Sequence, residues 1–153
     1  MESPYAHLEG DRLGEGTFTT RRAQVFLWVE ATRNDEDAFR WQEASESYGE
    51  EKQLVPPEFG LQIVTGALDV DLAAVGLEPD WEAGVYHAGQ SFDFHRPIYV
   101  DTTYAVSGKI DRIERKRGAT GVFDVVTQGY IVTDTENAPT FTTETKIILM
   151  REE

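Results

Sequence analysis

Hydrophobic residues change their spacing near Gly84, and the change divides the chain into a helical first half and a strand-forming second half. In TFTTRRAQVFLWVEATR a strand or cap precedes a helix. Val25, Trp28 and Val29 fall at i, i+3 and i+4, and Thr19 or Thr20 offers an N-cap oxygen. Phe26 and Leu27 widen the apolar face, which predicts a well-buried helix. The polar stretch NDEDAFRWQEASESYGEE keeps Ala38, Trp41 and Ala44 at helical spacing, so its acidic run reads as a solvated helix face and loop. Pro56–Pro57 stops the chain. From about Glu58 to Gly76, Phe59, Ile63, Ala67 and Val70 form one apolar stripe and Leu61, Val64, Leu68 and Leu72 another. A helix with no polar face lies inside a protein, so this segment predicts a central helix. Gly60 and Gly66 weaken it and admit close backbone approach.

After Gly84 the period is two. Four strands are expected: YHAGQSFDFHRPIYV, TTYAVSGKIDRIERKRG, VFDVVTQGYIVTDTENAP and FTTETKIILMREE. Tyr104, Val106 and Ile110 oppose Lys109 and Asp111. Phe123, Val125 and Ile131 oppose Asp124, Gln128 and Tyr130. Phe141, Ile147 and Leu149 oppose Thr142, Glu144 and Lys146. Turn residues stand at Pro97 and Asp101, at Arg117–Gly118 and at Asn137–Ala138–Pro139, so the four strands predict an antiparallel meander. A buried helix followed by long strands requires a sheet that curls round the helix.

Composition narrows the class. A length of 153 residues suits one domain, and 40% hydrophobic residues are too many for a disordered chain. There are no cysteines, which excludes disulfides and thiolate chemistry. No apolar run is long enough to span a bilayer, and MESPYAHLEGD lacks the features of a secretory leader, so a soluble cytoplasmic protein is expected. With 14 basic and 28 acidic residues the net charge is −14, which argues against nucleic-acid and anionic-membrane partners. The low lysine share suits a salt-rich or GC-rich source.

The stretch YHAGQSFDFHRP holds the most candidate chemistry. His87, Asp93 and His95 share parity and would face one side of a continuous strand. At about 3.3 Å per residue, however, His87 and Asp93 lie roughly 20 Å apart, too far for one ion, and no metal site is expected. GDRLGEG lacks the lysine and context of a phosphate loop, and no serine sits in a nucleophile elbow.

Three stretches, LVPPEFG (Leu54–Gly60), YHAGQSFDFHRP (Tyr86–Pro97) and TTETKIILMR (Thr142–Arg151), resemble the N-terminal half of MaoC-like dehydratases, in a likeness that runs from about Thr19 to Arg151. The resemblance implies an α+β fold, a single hotdog domain over residues 1–153 in which a curled antiparallel sheet wraps a central helix. It also implies an acyl-thioester substrate carried on coenzyme A or acyl carrier protein, with no further cofactor. The family hydrates enoyl thioesters or dehydrates (R)-3-hydroxyacyl thioesters. Its catalytic members carry D-x-N-P-x-H after the first helix, an aspartate and a histidine that do general acid–base work.

Here the aspartate position falls on Asn34 and the histidine position on Phe39. Sliding by one residue gives Asp35 with Arg40, and no register restores the pair. The resemblance is therefore to the non-catalytic half, as a subunit that binds acyl thioester beside a catalytic hotdog partner. Alternatives are a homodimeric hotdog thioesterase or hydratase, with Asp35, Glu36, Asp37 or Glu58 as a carboxylate, and a protein that binds acyl thioesters without turnover. Asp35 and His87 are the candidate catalytic residues. His87, Gln90 and His95 also suit structural or subunit-interface roles. The expected acyl tunnel has Pro57, Phe59 and Gly60 at the helix start and Tyr86, His87, Ala88, Gly89 and Gln90 opposite.

Overall fold

The computed structural model describes residues 1–152. Its three longest strands follow one another: β5 (Thr103–Gly118), β6 (Gly121–Thr133) and β7 (Pro139–Arg151). They pair antiparallel in sequence order, as a meander should. The fourth expected strand, β3 (Val85–Phe94), does not extend that meander from the front. It pairs with β7 at the far edge, and a strand not separated in the sequence reading, β1 (Arg12–Thr19), pairs with β5 at the other. The sheet order is β1-β5-β6-β7-β3.

The crossing from β3 to β5 has a local cause. The N–H groups of His95 and Arg96 both donate to the Thr140 carbonyl, at 2.9 and 3.1 Å. Pro97 then has no N–H to continue a ladder, and β4 (Ile98–Tyr99) leaves to pair with β2 (Leu54–Val55).

Helix α1 (Arg22–Ala31) forms where its spacing predicts and buries Val25 and Val29 completely. It is less buried than expected: Leu27 is 68% exposed and Phe26 also reaches solvent. Neither threonine caps it. Arg21 occupies the N-cap without a side-chain bond, and the Thr20 hydroxyl instead donates to the carbonyls of Tyr99, at 2.6 Å, and Thr102, at 3.1 Å. The acidic stretch forms a short 3₁₀ turn, Asp37–Phe39, and helix α2 (Gln42–Ser47).

The central helix is shorter than its apolar pattern. A 3₁₀ turn at Pro57–Phe59 leads into α3 (Gly60–Ala67), and the chain is extended by Leu68. The helix ends where it meets β1. Leu68 lies over Gly14 and Gly16, and the Ala67 carbonyl sits where a side chain at Gly16 would be. Residues 68–84 go on to cover the sheet without helix, with Leu72, Val75 and Leu77 packed inward.

Two apolar clusters fill the concave side. The first centres on Phe59, Ile63, Tyr104, Val132 and Phe141. The second, beyond the end of α3, holds Leu8, Leu77, Ile110, Ile113, Val126 and Leu149. On β6 the polar-looking set faces in: Asp124, Gln128 and Tyr130 are buried, while Ile131 on the other face is 49% exposed.

Candidate functional site

Pro56 and Pro57 fix the entry to α3, and around that entry the structure opens a groove of about 450 Å³. Its floor is apolar, formed by Phe39, Leu54, Val55, Pro57, Phe94 and Ile98, and its rim carries Glu50, His95 and Arg96. An apolar cleft with a few polar groups at its mouth is the usual form of a small-ligand site. A second groove of about 550 Å³ adjoins it and shares Glu50, Arg96 and Pro97. There the Tyr99 hydroxyl donates to Glu50 Oε2 at 2.5 Å. Burial, and then the neighbouring Glu50 carboxylate, push the Tyr99 phenol up to about 12, so it remains a donor at neutral pH. Arg96 faces Asp134 at 3.7 Å.

The groove contains one of the two positions to which the sequence resemblance assigns the acid–base pair. Phe39 is part of its floor. Its backbone carbonyl accepts from Gln53 Nε2 at 2.9 Å, which ties the backbone at Phe39 to the segment before β2. Asn34 is occupied with local structure: its Oδ1 accepts from the Glu36 N–H at 3.0 Å. Arg40 donates to the Asn34 carbonyl, from Nη2 at 2.7 Å, and pairs with Glu30. Asp35 is exposed. Neither register of the motif therefore brings a carboxylate and an imidazole together here.

The remaining sequence candidates separate into two places. At the helix entry, Pro57 lines the groove. Phe59 is 3% exposed and points into the core, edge-on to Trp28 at 5.6 Å and Phe18 at 6.1 Å. Gly60 is buried against the rings of Phe92 and Phe141, and its N–H is already bonded to the carbonyls of Pro57 and Glu58. Tyr86, His87, Ala88, Gly89 and Gln90 lie towards the start of β3, away from this entry, whose β3 contacts are Phe92 and Phe94. There His87 Nε2 lies 3.1 Å from Gln90 Oε1. Gln90 Nε2 donates to Thr143 Oγ1 at 2.5 Å, and Thr145 donates back to Gln90 Oε1 at 2.9 Å.

A β-bulge between His87 and Gly89 changes the parity of the strand. His87 stands opposite Ile147, whereas Asp93 stands opposite Thr142, so the two do not share a face as a continuous strand would require. His95 remains near Asp93, at 3.9 Å, on an exposed strand end. Among the described residues no group of three or more acidic or histidine side chains is placed to hold a metal ion.

Phe94, Arg96, Ile98, Glu50 and Tyr99 were not singled out by sequence. Phe94 and Arg96 belong to the same stretch as His87 and Ile98 follows it directly, and Pro97 was the signal: it marks the end of the strand and the turn towards the helix entry. Glu50 and Tyr99 carry no local signal, since only the fold brings them together.

A family model described as "FAS1-like, dehydratase domain region" matches residues 7–143. No curated protein matches the chain. Among solved structures, it resembles a chain of the C-terminally truncated HadBC (3R-hydroxyacyl-ACP dehydratase) complex from Mycobacterium tuberculosis, at 19% identity and a TM-score of 0.72, covering 88% of this chain and 94% of that one. A chain of the ChsH1–ChsH2 complex from the same organism is similar at 13% identity and a TM-score of 0.76, covering 94% and 86%. The R-hydratase PhaJ1 from Pseudomonas aeruginosa is similar at 15% identity and a TM-score of 0.69, covering 97% and 86%. At these identities the likeness establishes the hotdog fold. Among the described residues no helix is long and apolar enough to cross a membrane.

Proposed function

We propose, from the premise that this chain belongs to the FAS1-like dehydratase-domain-region family, that it is the acyl-binding subunit of a (3R)-hydroxyacyl-thioester dehydratase or enoyl-thioester hydratase. The groove at the start of α3 receives the acyl part of the thioester, with coenzyme A or acyl carrier protein remaining outside. A catalytic hotdog partner supplies the carboxylate and imidazole that remove a proton beside the thioester carbonyl and return one to the leaving hydroxyl.

The observation that carries this reading is the filling of the two acid–base positions. Phe39 offers an apolar surface where the family's catalytic members have histidine, and Asn34 spends its side chain on a local turn. Such a groove is suited to holding an acyl group and unsuited to moving protons. The fold is also found in chains of the HadBC and ChsH1–ChsH2 complexes, which supports a role in a two-subunit assembly.

The test is to follow crotonyl-thioester absorbance with the purified chain alone and then with a candidate hotdog partner carrying an intact D-x-N-P-x-H. General acid–base groups are worth about 10²–10⁴-fold, so the chain alone should give no enzymatic turnover and the mixture should. Robust turnover by the chain alone, abolished by Asp35→Asn or His87→Ala, would reverse the assignment and make this an autonomous enzyme.

A further inference from the structure

We propose that Phe92, Phe94 and Phe141 form the inner end of the acyl groove and restrict this chain to short acyl groups. This rests on the reading that the groove takes an acyl thioester, and adds which acyl groups it takes. The floor provided by Leu54, Val55, Pro57 and Ile98 ends against Phe94. Phe94 stacks on Phe92 with ring centroids 5.4 Å apart and planes 10° from parallel. It lies 5.4 Å from Phe141, which is itself 6.1 Å from Phe92. Because Phe94 and Phe141 are direct cross-strand partners, the wall is built from two neighbouring strands and does not depend on one side chain.

The helix holds the rings from the other side. A Cβ at Gly60 would meet Phe141 at 3.1 Å and Phe92 at 3.3 Å. A side chain there would press on both rings, and Phe141 is fully buried. Phe92 and Phe141, held between the helix start and the strand pair, back the more exposed Phe94 and stop it from retreating towards the core for a longer chain.

A second feature acts in the same sense. Past Phe92 the concave face of β3 and β7 becomes polar, with His87, Gln90, Thr143 and Thr145 bonded to one another. An alkyl chain pushed beyond the rings would lie against these groups. It would cross these hydrogen-bonded groups before reaching Ile147 and Leu149, and would take water from the exposed end of the network, which is unfavourable. The polar residues of the YHAGQ stretch thus mark where the acyl site stops.

Calorimetric binding of butyryl-CoA and decanoyl-CoA to the purified chain, with free coenzyme A as the carrier control, tests this. Wild type should bind butyryl-CoA more tightly than free coenzyme A, and more tightly than decanoyl-CoA by about tenfold or more. Phe94→Ala and Phe92→Ala should each shift the ratio of decanoyl-CoA to butyryl-CoA affinity towards the longer chain by about tenfold. Phe94→Trp should weaken butyryl-CoA. Phe94 is 41% exposed, so its variants are not expected to endanger folding even if Phe92→Ala does. Equal affinity for the two acyl lengths, or a Phe94→Ala protein that leaves their ratio unchanged, would overturn the wall and leave the acyl-thioester reading standing. Binding of neither acyl thioester above free coenzyme A would overturn that reading and the wall with it.

Discussion

Asp124 is a fully buried carboxylate on the inner face of β6, and it keeps its charge because three side chains surround it. Arg115 donates to both oxygens, at 2.9 and 2.8 Å, Arg151 adds a bond of 2.8 Å, and the Ser3 hydroxyl one of 3.0 Å. Burial alone would raise its pKa. The bonds from Arg115, Arg151 and Ser3 outweigh it and hold the carboxyl below the usual carboxylate range. A depressed folded-state pKa contributes stability above the unfolded value and loses it as pH falls through the folded one. Asp124→Ala should therefore cost about 3–5 kcal/mol at neutral pH, because Arg115 and Arg151 lose their shared carboxylate in a largely buried site. Urea denaturation should show this, and the gap to wild type should narrow as pH drops below about 4. Phe59 gives a contrasting case. It lies in the core between Trp28 and Phe18, so Phe59→Asp should abolish the cooperative unfolding transition and not merely weaken acyl binding.

Helix α3 and strand β1 show how elements constrain one another. At Gly16 a Cβ would lie 2.0 Å from the Ala67 carbonyl oxygen, and at Gly66 one would lie 2.4 Å from the Phe18 ring. The glycines allow the helix to rest directly on the strand backbone. A methyl group at Gly16 meets backbone, which cannot rotate away, so Gly16→Ala should destabilise by about 1–3 kcal/mol through overpacking. Chemical denaturation would measure it, and an unchanged midpoint would mean that the helix moves off β1 without cost. The same packing explains why the helix stops at Ala67 although apolar residues continue to Leu72.

For the whole molecule the controlling quantity is charge. A net charge of −14 on 153 residues drives self-repulsion in the compact state. Salt screens it, with a Debye length near 10 Å at about 0.1 M and near 3 Å at about 1 M. The melting temperature should therefore rise between low salt and molar potassium chloride, and scanning calorimetry across that range checks it. A melting temperature that falls with salt would show that ion pairs such as Arg40–Glu30 dominate over repulsion. The free outer edge of β3 is a second whole-molecule property, a row of backbone groups able to pair with another chain. The protein is expected to sediment as a dimer or larger, and a monomer at micromolar concentration would count against this.

Local chemistry was legible in the chain itself. The period-two runs located β5, β6 and β7, the spacing of Val25, Trp28 and Val29 located α1, and Pro56–Pro57 marked the entry to the central helix. Asn34 and Phe39, read against the motif they replace, lead to the expectation of a half-site without an acid–base pair, which the turnover assay tests. What the chain did not disclose depends on contacts between distant segments. Glycines 14 and 16 hid β1, because a strand recognised only by its place under a helix has no apolar alternation of its own. On β6 both faces carry apolar residues, and it is the packing of Val122, Val126, Tyr130 and Val132, with Asp124 neutralised by its arginines, that puts one of them inside. The edge position of β3, the bulge that separates His87 from Asp93, and the meeting of Phe39, Pro57, Phe94 and Ile98 in one groove were likewise decided by tertiary structure. Periodicity records which residues share a face; pairing, register and end-on packing are settled only when the faces meet.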